Sequence, residues 1–296
     1  MLIEDFTTFV YCLVADTMKK VMHLKLRQRG FEPKLSDAEV ITMDIVGEFI
    51  GQNTDVGIWR YFSQHWKSMF PKLGSRSNYV KQSANLWKVK QTLQGILSKS
   101  LGACDDLLHM TDGFPMPVCH YKRSSRHQSF FGEASYGYCA SKDEKYYGFK
   151  GNLVISSQGI ITGITFTPAH VDERESLYEI VGNIKGLLIA DKGLIGAEYQ
   201  KAFYQRTGVN LQTPTRSNMK DDRGKDANKW LTSTRRLVET VIGQLVEQFN
   251  IAKVKARDTW HLTNRVIRKV LAHTVGVFIN KQENQPPLQF ETLRIV

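Results

Sequence analysis

Apolar side chains recur every three or four residues along the first hundred positions. This spacing predicts helices over 3–28, 57–69 and 78–97. Between the first two, Ser36 and Glu39 have the spacing of a capping box and precede another apolar helical face. The N-terminal part of the chain is therefore predicted to be an all-helical module. It is either a helix-turn-helix unit that contacts DNA or a helical cap, and periodicity alone leaves both interpretations open.

After residue 104 the pattern changes to short β-rich runs. Strands are predicted over 107–111, 117–121, 148–156, 159–168, 186–190 and 209–213. The second strand is expected to pair back on the first, and Gln158-Gly159 is expected to turn a hairpin between the third and fourth. Helices are predicted over 173–184, 197–206, 228–249 and 261–281, with a mobile polar loop over 214–228. Strands followed by alternating helices and strands predict a mixed sheet with helices on its faces.

The composition is that of a folded globular protein. The 296 residues are 42% hydrophobic and 23% charged. No apolar run reaches the roughly 18 residues that span a bilayer, so no membrane association is expected. Glu4 and Asp5 stand where a secretory signal would carry basic residues, and the four cysteines form no CxxC pair. These features predict a cytoplasmic protein without a disulfide framework.

Positive charge is concentrated in two regions of the chain. The 40 basic and 29 acidic side chains give a net charge of +11. Residues 1–105 have a net charge of +4, 106–215 are neutral and 216–269 have a net charge of +7. A neutral middle between two positive regions favours a catalytic body flanked by surfaces that bind a polyanion, above all nucleic acid. Solvated lysines and arginines are the alternative interpretation.

The candidate catalytic groups are carboxylates at structured positions. Motifs for nucleotide hydrolysis, dinucleotide binding, α/β-hydrolase and zincin activity are missing from the sequence. Asp112 and Asp191 each follow an apolar run that predicts a strand, and Glu239 lies beside the apolar stripe of a predicted helix. Taken alone, each aspartate is also a common turn or helix-capping residue. Glu239 needs a partner, which is either Arg235 one turn earlier or a metal ion.

Three carboxylates from two strands and one helix would form an oxygen-rich site. Mg²⁺ and Mn²⁺ prefer such ligands together with phosphate oxygens. Two such ions can activate an attacking hydroxyl group and stabilise the leaving oxygen of a phosphodiester. Together with the excess of positive charge, this predicts metal-dependent chemistry on a nucleic acid.

Short segments surround these acids and recur in a definite order. They are Thr111-Asp112-Gly113, Ala190-Asp191-Lys192-Gly193 and 235–245 around the acids, with 35–42, 115–119, 136–140, 146–151 and 167–173 elsewhere. Their ordered combination covers most of the chain. It resembles bacterial insertion-sequence transposases of the DDE class, and most closely the insertion-sequence 982 family.

The resemblance implies an α/β fold with an RNase H-like catalytic core, which is a mixed sheet flanked by helices, preceded by the N-terminal all-helical module. Asp112 would lie on the first strand, Asp191 just after the fourth and Glu239 on the helix that follows. The implied domains are a DNA-end-binding module over 1–104, a DDE catalytic domain over 105–285 and a C-terminal tail over 286–296.

The resemblance also implies the activity of a DNA transposase. Metal-dependent strand cleavage would free the ends of an insertion sequence, and the freed 3′-hydroxyl group would then attack target DNA. Asp112, Asp191 and Glu239 would be the catalytic residues and would hold two Mg²⁺ ions, with Mn²⁺ as a substitute. The partners would be double-stranded DNA, as terminal inverted repeats and as target, and further copies of the chain in a homodimer or larger assembly. No small-molecule cofactor is implied, and the setting would be the bacterial nucleoid.

Two other functions remain open at this point. One is a metal-dependent DNA nuclease on the same fold, which cuts DNA without strand transfer. The other is a non-catalytic, sequence-specific DNA-binding protein derived from a transposase. The intact set of three acids argues against the second.

Basic side chains near the acids and toward the C-terminus are the candidates for contacts with DNA. They are Lys122, Arg123, Arg126, Lys150, Lys192, Arg235, Arg236, Lys253, Lys255, Arg257, Arg265 and Arg268. Related transposases carry a tyrosine and a lysine around the last acid, where this chain has Thr232 and Val246. Lys253 or Lys255 is expected to replace the missing lysine.

Overall fold

The structure is a computed structural model that describes residues 1–21, 32–139, 143–215, 219 and 223–293. In chain order its helices are α1 (Ile3–Lys19), α2 (Asp37–Phe49), α3 (Asp55–His65), α4 (Arg76–Asn85), α5 (Trp87–Ser100), α6 (Glu173–Ile180), α7 (Ala197–Thr207), α8 (Lys225–Glu247) and α9 (Thr259–Gln282). Its strands are β1 (Leu108–His120), β2 (Ser135–Cys139), β3 (Glu144–Ser156), β4 (Ile161–Pro168), β5 (Leu187–Ile189) and β6 (Asn210–Gln212). No helix within these ranges is long and apolar enough to cross a membrane.

The chain divides into two compact units. The first comprises Met1–Leu97 and Glu247–Val296, and the second comprises Ser98–Val246. The sequence placed 247–285 with the catalytic domain, whereas the structure groups this segment with the N-terminal helices because α9 packs on α2 and α4. How the functions are divided between the units stays a prediction.

Capping signals in the sequence locate the helices of the first unit. The capping box predicted at Ser36 is confirmed, because Ser36 Oγ accepts a hydrogen bond from the Glu39 N–H and the Ser36 N–H donates to the Glu39 carboxylate at 2.7 Å. The helix predicted over 3–28 is present as α1, and positions 22–28 lie outside the described residues. Helical periodicity therefore located these elements, and local capping chemistry fixed the start of α2.

The single helix predicted over 78–97 is wrong. The structure has two helices there, α4 and α5, separated by a turn at Leu86. The Leu86 N–H donates to the carbonyl of Ser83, three residues earlier, and the Leu86 side chain is buried. A backbone hydrogen bond between residues three apart, rather than four, gives a tighter turn and interrupts the α-helix.

Charged side chains are buried together in the first unit. They are Asp44, Glu48, Asp55, Lys90, Arg268 and Lys269, each at most 1% exposed. Arg268 donates to Glu48 at 2.6 Å and to Asp55 at 2.5 Å, and Arg265 pairs with Asp55 at 2.6 Å. The expectation that Arg268 contacts DNA is therefore corrected, since its guanidinium group is fully buried among acids of the helical unit. Arg265 pairs with the same Asp55 but is partly exposed, and its contact with DNA stays a prediction.

The second unit contains a mixed sheet, six-stranded within the described residues. Its order is β2-β3-β1-β5-β6, and β4 pairs with the same edge of β3 as β2, but farther along the strand. β1 pairs antiparallel with β3 and parallel with β5, which in turn pairs parallel with β6. The predicted mixed sheet flanked by helices is confirmed, and it is compatible with an RNase H-like core.

The strand predictions hold for the hairpin and fail at the end of β1. The hairpin around Gln158-Gly159 is confirmed by the antiparallel pairing of β3 with β4. Residues 117–121 do not pair back on 107–111, because β1 runs on past a bulge between Pro117 and Cys119 and stays paired with β3. β2 was not predicted, and the strand before Asp191 is β5 in chain order.

Apolar side chains from the sheet and from α6 and α7 form the core of the second unit. Leu188 of β5, Leu177 of α6 and Phe203 of α7 belong to one buried cluster, each at most 2% exposed. Burying side chains of this size is the main favourable contribution to folding, roughly 1.5–3 kcal/mol each. The core fixes β5, and with it the position of the acid that follows this strand.

Candidate active site

The pairing of β1 with β5 brings Asp112 and Asp191 side by side. The two strands are parallel, with Met110 opposite Ile189. Asp112 and Asp191 each follow their paired residue by two positions. Residues two apart share one face of a strand, so the register places both carboxylates at the same end of the pair.

Arg235 on α8 contacts all three of the predicted catalytic acids. Its Nη1 donates to Asp112 Oδ2 at 2.6 Å, and its Nη2 donates to Glu239 Oε1 at 2.5 Å. The same Nη2 lies 3.8 Å from Asp191 Oδ1. Glu239 follows Arg235 by one helical turn, a spacing at which ion pairs form readily. Of the two partners left open for Glu239, the structure therefore shows the arginine.

Burial controls the ionisation of Asp112. Removal from water raises the pKa of Asp112 to about 6, against the opposing effects of the Arg235 guanidinium and of the Gly113 N–H, which donates to Oδ1 at 2.8 Å. The charge of Asp191 adds to the rise. Asp191 is more exposed and also accepts the Gly193 N–H at 3.3 Å, so it forms a turn as well as facing Arg235. The two aspartates thus have different environments within one site.

The oxygen atoms of these three carboxylates are of the type that binds hard divalent cations. Within the described ranges, no three His, Cys, Asp or Glu side chains gather closely enough to hold a metal ion. The positive charge among Asp112, Asp191 and Glu239 is instead the guanidinium of Arg235. Carboxylate oxygens that converge on one cation are the ligand type that Mg²⁺ and Mn²⁺ prefer. The three carboxylates are therefore of the ligand type that such an ion prefers, and in this structure they face Arg235.

Sequence reasoning missed Glu173 and Asn152, which lie beside the two aspartates. Both line a small cavity together with Asp112 and Asp191. A Cβ at Gly113 would lie 2.9 Å from Glu173 Oε1 and 3.1 Å from Asn152 Oδ1, so glycine leaves room for their polar groups. From the sequence, Glu173 could be placed in the first turn of the helix that follows β4. That this turn lies beside β1 follows only from the fold.

Most of the basic residues predicted to bind DNA are at the surface. The exposed ones are Lys122, Arg123, Arg126, Lys192 and Arg236 in the second unit and Lys253, Lys255 and Arg257 in the first. Lys150 is half-buried, with its Nζ 3.4 Å from Glu173 Oε1. The structure thus gathers Lys150 and Arg235 with the acids, and the exposed side chains stay candidates.

Comparison with known proteins bears on the same region of the chain. Neither the curated proteins nor the solved structures contain a match. The family described as "Transposase DDE domain" matches residues 102–259, just over half of the chain. This match includes Asp112, Asp191 and Glu239. The chain belongs to the transposase DDE domain family.

Proposed function

We propose that this protein is an insertion-sequence transposase that cleaves DNA strands at the ends of its element and joins the freed 3′-hydroxyl groups to target DNA. Membership of the family supports a transposase role and DNA as the partner. The cleavage and joining steps, the likeness to the insertion-sequence 982 group and the bacterial setting are parts of the proposal. So is assembly as a homodimer or larger, since two DNA ends must be brought together.

One observation carries the proposal: Asp112, Asp191 and Glu239 surround a single cation, the guanidinium of Arg235. Three acids from separate parts of the chain would repel one another without such a charge. A cluster of this kind at a strand end is suited to exchange its internal cation for an external one. The family match covers all three acids.

We assign Asp112, Asp191 and Glu239 as the ligands of two Mg²⁺ ions, which Mn²⁺ can replace. When bound, the ions supply Lewis-acid activation of the attacking oxygen and stabilisation of the leaving oxygen. Burial raises the pKa of Asp112, and a nearby positive charge opposes that rise and favours the ionised carboxylate. Arg235 neutralises the acids before loading, and once displaced it can pair with a phosphate oxygen of the DNA.

Basic side chains close to the acids are proposed to hold the substrate. Lys192 directly follows Asp191 and is exposed, and Lys150 lies beside Glu173. Lys122, Arg123 and Arg126 are exposed on the short turn Tyr121–Arg126 that follows β1. Cations at these positions attract the phosphate backbone without reading base sequence.

The decisive experiment uses a supercoiled plasmid that carries the gene's native flanks. Wild-type protein is expected to nick or cut at the flank boundaries with Mg²⁺ or Mn²⁺ but not with EDTA, and to produce joined products with a target plasmid. Asp191→Asn is expected to remove both activities. Glu198→Gln, which changes an exposed carboxylate on α7, is the matched control and is expected to keep both.

The outcomes separate the possible functions. Cutting without regard to the flanks, and without joined products, would replace the proposal by a nuclease. Tight binding to the flanks without any cutting would replace it by a non-catalytic DNA-binding protein. Equal activity of wild type and Asp191→Asn would remove Asp191 from the catalytic set. Circular dichroism of each variant establishes that the fold is retained.

A further inference from the structure

A long stretch of the first unit has no acidic residue. Positions 56–97 contain neither Asp nor Glu, but they contain seven Lys and Arg side chains. Lys90 is buried and paired with Asp44, and the other six are exposed. Along these 42 consecutive positions no acid in the sequence neutralises the basic side chains, and such an excess of positive charge attracts anions.

The same stretch lines a groove of about 590 Å³ beside α4. Asn78, Lys81, Gln82 and Asn85 line it from α4, at the i, i+3, i+4 and i+7 positions that form one helical face. Lys34 and Lys72 line it from neighbouring segments, and Glu32 is the one acid along its described wall. The groove thus offers three ammonium groups and several amides.

Buried side chains of α4 anchor the helix in the interior of the first unit. Tyr79 donates its hydroxyl hydrogen to Asp44 Oδ1 at 2.6 Å, and Ser83 donates to Asp44 Oδ2 at 2.7 Å. Both side chains are buried. These bonds hold the helix in place, so its backbone carries Asn78, Lys81 and Asn85 at defined positions along the groove.

Hydrogen bonds also hold the segments that carry the other two lysines. Gln82 Nε2 donates to the carbonyl of Leu35, next to Lys34, at 2.9 Å and to the carboxylate of Asp37 at 2.8 Å. Trp59 Nε1 donates to the carbonyl of Gly74, two residues after Lys72, at 3.0 Å. The walls of the groove are thus built before any ligand arrives, which lowers the entropic cost of binding.

We infer that this groove, which we call the α4 groove, is a binding site for the phosphodiester backbone of double-stranded DNA. The ligand class follows from the lining: the ammonium groups of Lys34, Lys72 and Lys81 and the amides of Asn78 and Asn85 match phosphate oxygens. The three lysines outnumber the two acids at the groove, Glu32 in its wall and Asp37, which accepts a hydrogen bond from Gln82. The inference rests on the proposed function for the identity of the polyanion. It assigns DNA contacts to side chains outside the set surrounding Asp112.

The test measures binding of full-length protein to a fluorescent duplex of the native flanks, in EDTA, over a range of salt concentrations. Lys72→Ala combined with Lys81→Ala removes two lysines of the α4 groove. The matched control combines Lys67→Ala with Lys88→Ala, which removes the same charge from exposed positions outside the groove. Each lost phosphate contact lowers the slope of log K against log salt by about 0.9.

The expected result is a slope smaller by about 1.8 for the groove variant and a weakening of roughly tenfold or more near 0.1 M salt. The control variant keeps the wild-type slope. Equal slopes for the two variants would overturn the inference, as would wild-type protein that binds no duplex. A groove variant that keeps its slope but loses preference for the flanks over random DNA would reassign α4 to reading bases.

This assay is independent of the chemistry at the acids. Groove-dependent binding by a protein that never cuts DNA would leave the inference standing and refute the proposed catalytic function. If the protein cuts DNA at the flanks and the groove variant binds as tightly as wild type, the catalytic proposal stands and the inference about the α4 groove is refuted.

Discussion

Replacement of Arg268 by methionine tests the buried charges of the first unit. Arg268 is fully buried and donates to Glu48 at 2.6 Å and to Asp55 at 2.5 Å. Burial disfavours its charge, but Glu48, Asp55 and Asp44 more than compensate and raise the pKa of Arg268 above its usual range. It is therefore charged at every pH at which the protein folds. Methionine keeps much of the volume and removes the charge.

The magnitude follows from the partners that remain. Loss of one member of a buried ion pair costs about 3–5 kcal/mol, because it leaves an uncompensated charge in the interior. Here each acid keeps a second cation: Lys269 contacts Glu48 at 2.6 Å, Arg265 contacts Asp55 at 2.6 Å, and Lys90 contacts Asp44. We therefore expect a loss at the lower end, about 3 kcal/mol.

The assay is urea unfolding followed by circular dichroism, with Arg257→Met as the control at an exposed arginine of the same unit. Arg268→Met is expected to lower the free energy of unfolding of the first unit by about 3 kcal/mol, and Arg257→Met to change it by less than about 0.5 kcal/mol. If Arg268→Met were as stable as wild type and lost DNA affinity instead, the reasoning would be refuted and the DNA-contact interpretation restored.

Three further predictions address ionisation, packing and the acid cluster. Burial lowers the pKa of His273 to about 3 in the folded protein, against about 6.5 in the unfolded chain. The free energy of unfolding is therefore highest above pH 6.5 and falls by about 1.4 kcal/mol per pH unit as the pH drops from 6.5 toward 3. Between pH 6.5 and 5, the free energy of unfolding measured in urea should fall by about 2 kcal/mol less for His273→Leu than for wild type. Equal falls for the two proteins would contradict this. Gly148→Ala would place a Cβ 2.4 Å from the carbonyl oxygen of Met116, so we expect about 1–3 kcal/mol of destabilisation by thermal unfolding, and an unchanged melting temperature would show that the strands can part at no cost. Arg235→Gln removes the cation shared by the three acids, so calorimetry should show tighter Mn²⁺ binding than in wild type and none in Asp112→Asn, whereas weaker binding by Arg235→Gln would mean that the arginine helps to assemble the site.

The sequence by itself determined what depends on near neighbours. Apolar periodicity located most helices, the spacing of Ser36 and Glu39 fixed the start of α2, and Gln158-Gly159 marked the hairpin of β3 and β4. These signals work because capping, helical faces and tight turns are settled within a few residues of chain. The three candidate acids could also be picked out from the sequence, since Asp112 and Asp191 each follow an apolar run and Glu239 lies beside an apolar helical stripe. In the structure Asp112 lies within β1, Asp191 comes just after β5 and Glu239 lies on α8.

Tertiary structure decided what depends on distant partners. Nothing near Arg268 in the chain shows that it will be buried, because its acids lie 220 and 213 positions away. Glu173 joins the aspartates only because α6 packs against the sheet. The run of β1 past Pro117 was hidden because its pairing depends on β3. Burial and strand pairing are properties of the assembled fold, so a charge that local sequence assigns to solvent can become part of the interior when opposite charges meet it there.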